Sequence, residues 1–455
     1  MKEIKRIGWV GWFIFLPLIL TPMIVHAWSS EDLFSHFQAY MDIQEEYNSN
    51  INLTPNRLKK DDFITTVTPG FRISTAPKSP VTGQFQQTPT AGGKYGIDLD
   101  FRAGFNFYAK EHDNNYISLN GLLNAWYAVT PRLNFRVRDY LIRSDDIREP
   151  DYSANAIQGQ YLLSRTGRRA VWIRNVFEPS VQYEFGRKDE FAIDSVAINY
   201  QNNVYKIESR TGDDSVENYI NPTLTYWFNI RNGVFFQYAF TLGNFQQSPD
   251  LVGHMAMGRY TYRFNPNTSI FGEYAHLWRD LESPSIDYLV YRPSLGIQHA
   301  FNPTLSGKAQ FGYFWHNPER GSTTSGFYYD VNLTQLVKKT TYTLSSQGGY
   351  TEDYFTSQNL GFSKSYRVIG RIDHQLFEKM SVGLFSSFEW NKQAGSATGG
   401  KTPTDKIWAV GGNSSYQILK WLTVSLNLSF RENYSNISDR DYSEYRAFLK
   451  ATATY

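Results

Sequence analysis

Arginines are the side chains best placed to do chemistry in this sequence. Arg259 and Arg263 stand four residues apart, as do Arg367 and Arg371. On an alternating strand that spacing puts two like charges on one face, about 13 Å apart, where neither satisfies the other. Facing a wet passage, such pairs would set ion preference. A third basic group, Arg165-Thr166-Gly167-Arg168-Arg169, lies in the long polar stretch 144–170 and makes Arg165, Arg168 and Arg169 candidates for a constriction loop.

Catalytic chemistry is poorly represented. The absence of cysteine removes disulfides, thiolate metal sites and a lipid-modified N-terminal cysteine. His36, His112, His254, His276, His299, His316 and His374 are scattered, without an i,i+4 metal pair, a nucleophile elbow or a phosphate-cradling glycine loop. No catalytic, cofactor-binding or metal residue is assigned, and the chain is read as a non-enzyme. The Trp and Tyr residues read as interfacial girdles, with sugar stacking the lesser alternative for Trp126, Trp172 and Trp227 near the polar face.

The elements that must carry these residues are strands. Leu422, Val424, Leu426, Leu428 and Phe430 alternate with Thr423, Ser425, Asn427, Ser429 and Arg431, and residues 95–107, 220–230 and 234–243 alternate in the same way. About twenty such segments occur, most of about 10 residues or more, the length of a tilted membrane-crossing strand. Their connections alternate between tight turns, such as Thr130–Leu133 and Asn265–Asn267, and longer polar loops, such as 144–170 and 391–405. This is the layout of a transmembrane antiparallel up-and-down β-barrel, all-β, of about 18–20 strands with 20 the best count. The stretch 76–93 is too long for the tight turn expected after the second strand. Pro69, Pro179, Pro222 and Pro293 each precede a small residue on a descending strand, and each marks an expected bulge or bend.

Aromatics make up 16% of the 455 residues, yet charged residues make up 19%. Alternation explains the mixture, since one face meets lipid and the other lines a polar lumen containing Asp98, Asp100, Arg102, Arg138, Glu178, Glu273, Arg279, Arg292, Glu389 and Arg446. Such a wall would either orient solutes through its field or brace itself by salt bridges.

Lys2, Lys5 and Arg6 precede an apolar run, Ile7 to Val25, that ends in Val25-His26-Ala27, so residues 1–27 read as a signal peptide and 28–455 as a single barrel domain. Removing 1–27 leaves 42 basic and 42 acidic residues, a neutral balance that argues against a nucleic-acid partner. The last strand ends Leu449, Ala451, Ala453, Tyr455 on one face and resembles the recognition signal of bacterial outer-membrane barrels.

Glu45-Glu46-Tyr47-Asn48-Ser49-Asn50-Ile51-Asn52-Leu53-Thr54, followed by residues 61–70, resembles the opening hairpin of the outer-membrane β-barrel porin 2 family. The resemblance implies the outer membrane of a Gram-negative bacterium and either a porin-like channel for small polar solutes or a component of exopolysaccharide export. It implies no cofactor. The partners expected are outer-membrane lipid and lipopolysaccharide, the barrel assembly machinery and polysaccharide, with the oligomeric state open. The alternative is a non-conducting surface or assembly barrel whose outer loops bind polysaccharide or a protein.

Overall fold

The computed structural model describes residues 36–76, 94–150, 161–163, 169–189, 192–208, 214–355, 361–393, 402–437 and 440–455. The signal-peptide residues, Arg165, Arg168 and most of the 76–93 stretch lie outside them. The chain runs through β1 (Phe37–Asn48), β2 (Asp62–Ser74), β3 (Tyr95–Tyr108), β4 (Tyr116–Thr130), β5 (Leu133–Ser144), a short pair β6 (Arg148–Pro150) and β7 (Tyr161–Leu163), β8 (Trp172–Arg187), β9 (Ile193–Ile207), β10 (Ser215–Trp227) and β11 (Asn232–Phe245). It continues through β12 (Leu251–Asn265), β13 (Thr268–Leu281), β14 (Tyr288–Asn302), β15 (Leu305–Pro318), β16 (Thr324–Val337), β17 (Thr340–Asp353), β18 (Gly361–Phe377), β19 (Met380–Gln393), β20 (Thr404–Leu419), β21 (Leu422–Ser435) and β22 (Tyr442–Thr454). All but β6 and β7 form one 20-stranded antiparallel sheet, closed by pairing of β1 with β22. Closure gives every wall strand a neighbour on both sides, as hydrocarbon surroundings require.

Both described termini and the tight turns share one end of the barrel, the periplasmic end of outer-membrane barrels. Outward positions carry exposed apolar side chains, among them Leu295, Phe311, Phe327 and Leu384. His276 sits beside Trp278 and Tyr291, and His299 beside Phe301, on this outward face.

The prolines do not carry bulges. The β2–β3, β8–β9, β10–β11 and β14–β15 ladders each skip the proline and its predecessor and then resume in the same register. The other edge of each strand stays paired, as Met41 opposite Pro69 and Tyr274 opposite Pro293 show. Losing one donor opens a local gap, and nothing is inserted. Register shifts occur at the periplasmic ends of descending strands, between Ala128 and Thr130, Glu184 and Gly186, Arg263 and Asn265, Ala300 and Asn302, Gln375 and Phe377, and Gln417 and Leu419. There an extra residue lets a short turn match the twist of its strands.

The closing pair is joined by more than its ladder. Arg446 forks onto Glu46 with Nε–Oε1 at 2.8 Å and Nη2–Oε2 at 2.9 Å, and Asn48 donates to Glu444 at 3.1 Å. Lys450 faces Asp42 at 3.9 Å.

Candidate functional site: a lumen narrowed from two sides

The lumen wall is a belt of paired charges. Arg72 bonds Asp98 at 2.7 Å, Arg138 faces Glu178 at 3.5 Å, and Lys308 bonds Asp330 at 2.6 Å. The arginines expected to stand unsatisfied are partnered. Arg259 bonds Glu273 through Nε at 2.9 Å and lies over the Phe271 ring. Arg367 bonds Glu389 at 2.8 Å, and Arg371 bonds Asp373 at 2.6 Å. Arg263, at the periplasmic end, lies over the Trp227 ring at 4.4 Å and faces Asp189 at 3.7 Å. Repulsion along one strand is answered by carboxylates on a neighbouring strand, two residues away, or, for Arg263, in the β8–β9 turn. One imbalance remains at Glu273, which also accepts from Arg292 at 3.1 Å and so serves two guanidinium groups.

The tryptophans named as the lesser candidates for sugar stacking are engaged by the chain's own groups. Trp172 is buried, stacks on Tyr205 and donates from Nε1 to the Asp146 carbonyl at 2.8 Å. Trp227 is covered by Arg263. Trp126 lies against Gly96, where any Cβ would collide with the indole.

Two bodies leave the wall and fold inward. The first gathers the loop after β1 and the segments flanking the β6–β7 pair. Arg148 reaches across five strands to Glu444, bonds Asp146 at 2.7 Å and donates to the Asn50 carbonyl at 3.1 Å, with its side chain only 3% exposed. Wall strands lie about 4.8 Å apart, so five of them span roughly 24 Å, and only an infolded loop closes that distance. Arg169 bonds Asp145, donates to Tyr108 Oη at 2.6 Å and to the Ile51 carbonyl at 3.2 Å. Of the three candidate constriction arginines it is the one within the described residues, and it faces into this body.

The second body was not visible in the sequence. β17 pairs with β16 only as far as Gly348, opposite Tyr329, although both strands continue beyond that point. From Gly349, at φ +154°, β17 keeps only β18 as a ladder partner. Glu352 then meets Arg279 on β13, Tyr354 Oη bonds Tyr288 Oη on β14 at 2.8 Å, and Phe355 stacks on Phe245 on β11. Tyr350 and Phe362 pack on Phe314 in the same cluster. The β16 backbone uncovered by this departure is capped by side chains of β18, with Lys364 Nζ donating to the Ser325 carbonyl and the Tyr366 hydroxyl meeting the Phe327 backbone. Counted round the ring, the two bodies lie opposite each other, and both are at the outer end.

The first body has a pH limit. Burial pushes the Asp146 carboxyl up, but Arg148, Arg169 and Arg446 outweigh it and hold it below the usual 3.8. A carboxyl depressed by folding stabilises the folded state above its unfolded value and loses that contribution as pH falls through the folded one. Asp145 shifts the other way, raised by burial against the pull of Arg169, so its protonation does not release the segment. Acid-protease cutting within the 145–150 segment should therefore stay absent at the top of the usual carboxylate range and appear only as the pH is lowered below it. Equal cutting throughout would contradict the assignment.

Residues 245–455, from the end of β11 through β22, match the family described as Putative beta-barrel porin 2. The opening hairpin lies outside that match. No curated protein matches the sequence. A variant of the ferric enterobactin receptor PfeA of Pseudomonas aeruginosa, in complex with enterobactin, superposes with TM-score 0.50 at 7% identity over 92% of this chain and 81% of that one. OccAB4 of Acinetobacter baumannii aligns with TM-score 0.42 at 13% identity over 92% and 98%. These likenesses concern the fold. The chain is a porin-like β-barrel of the Gram-negative outer membrane, and over residues 245–455, less than half of its length, it is similar to the beta-barrel porin 2 family.

Proposed function

We propose that the barrel passes small polar solutes by passive diffusion. The observation that carries this reading is the belt of paired charges on the inward face, from Arg72–Asp98 to Arg446–Glu46, which suits a wet lumen. A 20-stranded wall falls between the roughly 16–18 strands of open porins and the roughly 22 of plugged transporters. The two infolded bodies would set the limiting width. Lipid, lipopolysaccharide and the assembly machinery are the partners this reading needs. Stepwise conductance of the purified protein in planar bilayers tests it, and silence would favour a surface barrel that binds polysaccharide or a protein. Export of an exopolysaccharide, which the family resemblance also implies, requires both bodies to withdraw; current blockade by dextran added from the periplasmic side tests that.

Neutralising Arg259, Arg263, Arg367 and Arg371 to glutamine should shift ion preference toward cations, read as reversal potential in a salt gradient. Most of the shift should come from Arg259, because Glu273 already serves two cations. Unchanged selectivity would remove these residues from the conduction path.

A further inference from the structure

We propose that Arg279 and Tyr288 form a carboxylate receptor, filled by the chain's own Glu352, and that a solute carrying a carboxylate on an apolar body displaces Glu352 and frees the outer end of β17 from β13 and β14. The proposal rests on the channel reading above.

Glu352 is held as a ligand would be. Arg279 forks onto it with Nε–Oε1 at 3.1 Å and Nη2–Oε2 at 2.9 Å, the two-pronged geometry that favours carboxylates. Tyr288 Oη donates to Oε1 at 2.5 Å and itself accepts from Tyr354 Oη. Both charged side chains are largely withdrawn from water, Arg279 at 11% exposure and Glu352 at 16%. Removing the carboxylate without a replacement would leave a buried guanidinium without its ion-pair partner, a costly state. An incoming carboxylate supplies that replacement.

The chain around the site is arranged for exchange. Beyond Gly348 no ladder joins β17 to β16, so withdrawing Glu352 breaks no wall hydrogen bond on that side. β18 stays paired with the segment as far as Asp353 opposite Gly361 and moves with it; what holds it against β11, β13, β14 and β15 is the fork, the tyrosine pair and ring contacts of Tyr350 and Phe355 with Phe314 and Phe245. A displacing solute must cover those apolar faces as well as satisfy Arg279, and this selects a carboxylate borne on an aromatic or aliphatic body over a bare anion. A tethered competitor acts at an effective concentration in the millimolar range, so the solute must approach that level.

The probe is 3-phenylpropionate, with 3-phenylpropanol as the uncharged control, applied to purified full-length protein. Titration calorimetry should show Glu352→Ala binding phenylpropionate about tenfold or more tightly than wild type, since the tethered competitor is gone. Glu352→Gln, which retains the shape and one acceptor, should fall between them. In bilayers the wild type should gain conductance with phenylpropionate and not with phenylpropanol, whereas Glu352→Ala should be open without either. Equal affinity of wild type and Glu352→Ala would overturn the receptor. So would a wild type that conducts but responds alike to both probes, and either result leaves the channel reading standing. Silence of both proteins under every condition would overturn the channel reading together with the inference.

Discussion

Replacing residues 350–360 with a short turn between β17 and β18 should raise single-channel conductance several-fold. Those residues include the part of β17 that leaves the wall and lies against Arg279, Tyr288, Phe245 and Phe314. Opposite them the other body stays in place, so the passage widens from one side only. The wall survives the excision because β18 keeps its ladder to β19, and Lys364 and Tyr366 still cap β16. Gly349→Val offers a milder version. A Cβ there meets Tyr328 at 3.0 Å, and a β-branched residue is strained at a φ of +154°. It should destabilise the turn inward and raise conductance in the same direction. Conductance equal to wild type in the excised protein would mean that the width is set elsewhere.

Arg148→Ala should cost about 3–5 kcal/mol of local stability, because it leaves the buried Glu444 without the guanidinium that bonds it and takes one of the cations away from the part-exposed Asp146. Glu444 is 2% exposed and keeps Asn48 as a donor, which softens the loss without replacing a charge. The damage should stay local, since the Arg446–Glu46 fork does not depend on Arg148. Hydrogen exchange of the 145–148 segment and the β1–β2 loop should accelerate while the strands remain protected. Arg148→Ala combined with Glu444→Gln should recover part of the loss. Unchanged exchange in the single variant would contradict the network.

Most of the barrel was legible because strand alternation reports which face a residue occupies before any neighbour is known. Leu449, Ala451, Ala453 and Tyr455 are read outward from the sequence and lie outward in the structure, with Lys450 facing Asp42 across the closing pair. Pairing of the arginines was legible in part. The tight turn between β12 and β13 fixes the hairpin register, which sets Arg259 opposite Glu273, and Asp373 lies two residues from Arg371 on one face. Considering each strand alone hid both partners. The infolded end of β17 was hidden for a different reason. Gly348, Tyr350, Glu352 and Tyr354 continue the same alternation, so local pattern gives no sign that the strand has left the wall. The available signal was the Gly348-Gly349 pair followed by Tyr350, Tyr354 and Phe355, an aromatic group where a polar outer loop was expected. The prolines misled because a missing donor and an inserted residue look alike in sequence.

The contacts across β1 and β22 bear on how the chain reaches a single closed form. When the first and last strands meet, a slip by one residue turns apolar side chains inward and is rejected by lipid. A slip by two residues keeps every side chain on its proper face, and hydrophobic alternation is blind to it. The fork of Arg446 on Glu46, the Asn48–Glu444 bond and the approach of Lys450 to Asp42 all fail in that slipped state. Arg148 would also arrive to find Glu444 displaced. The closing seam therefore acts as a proofreading contact, distinguishing the correct register from the one error that membrane partitioning cannot detect.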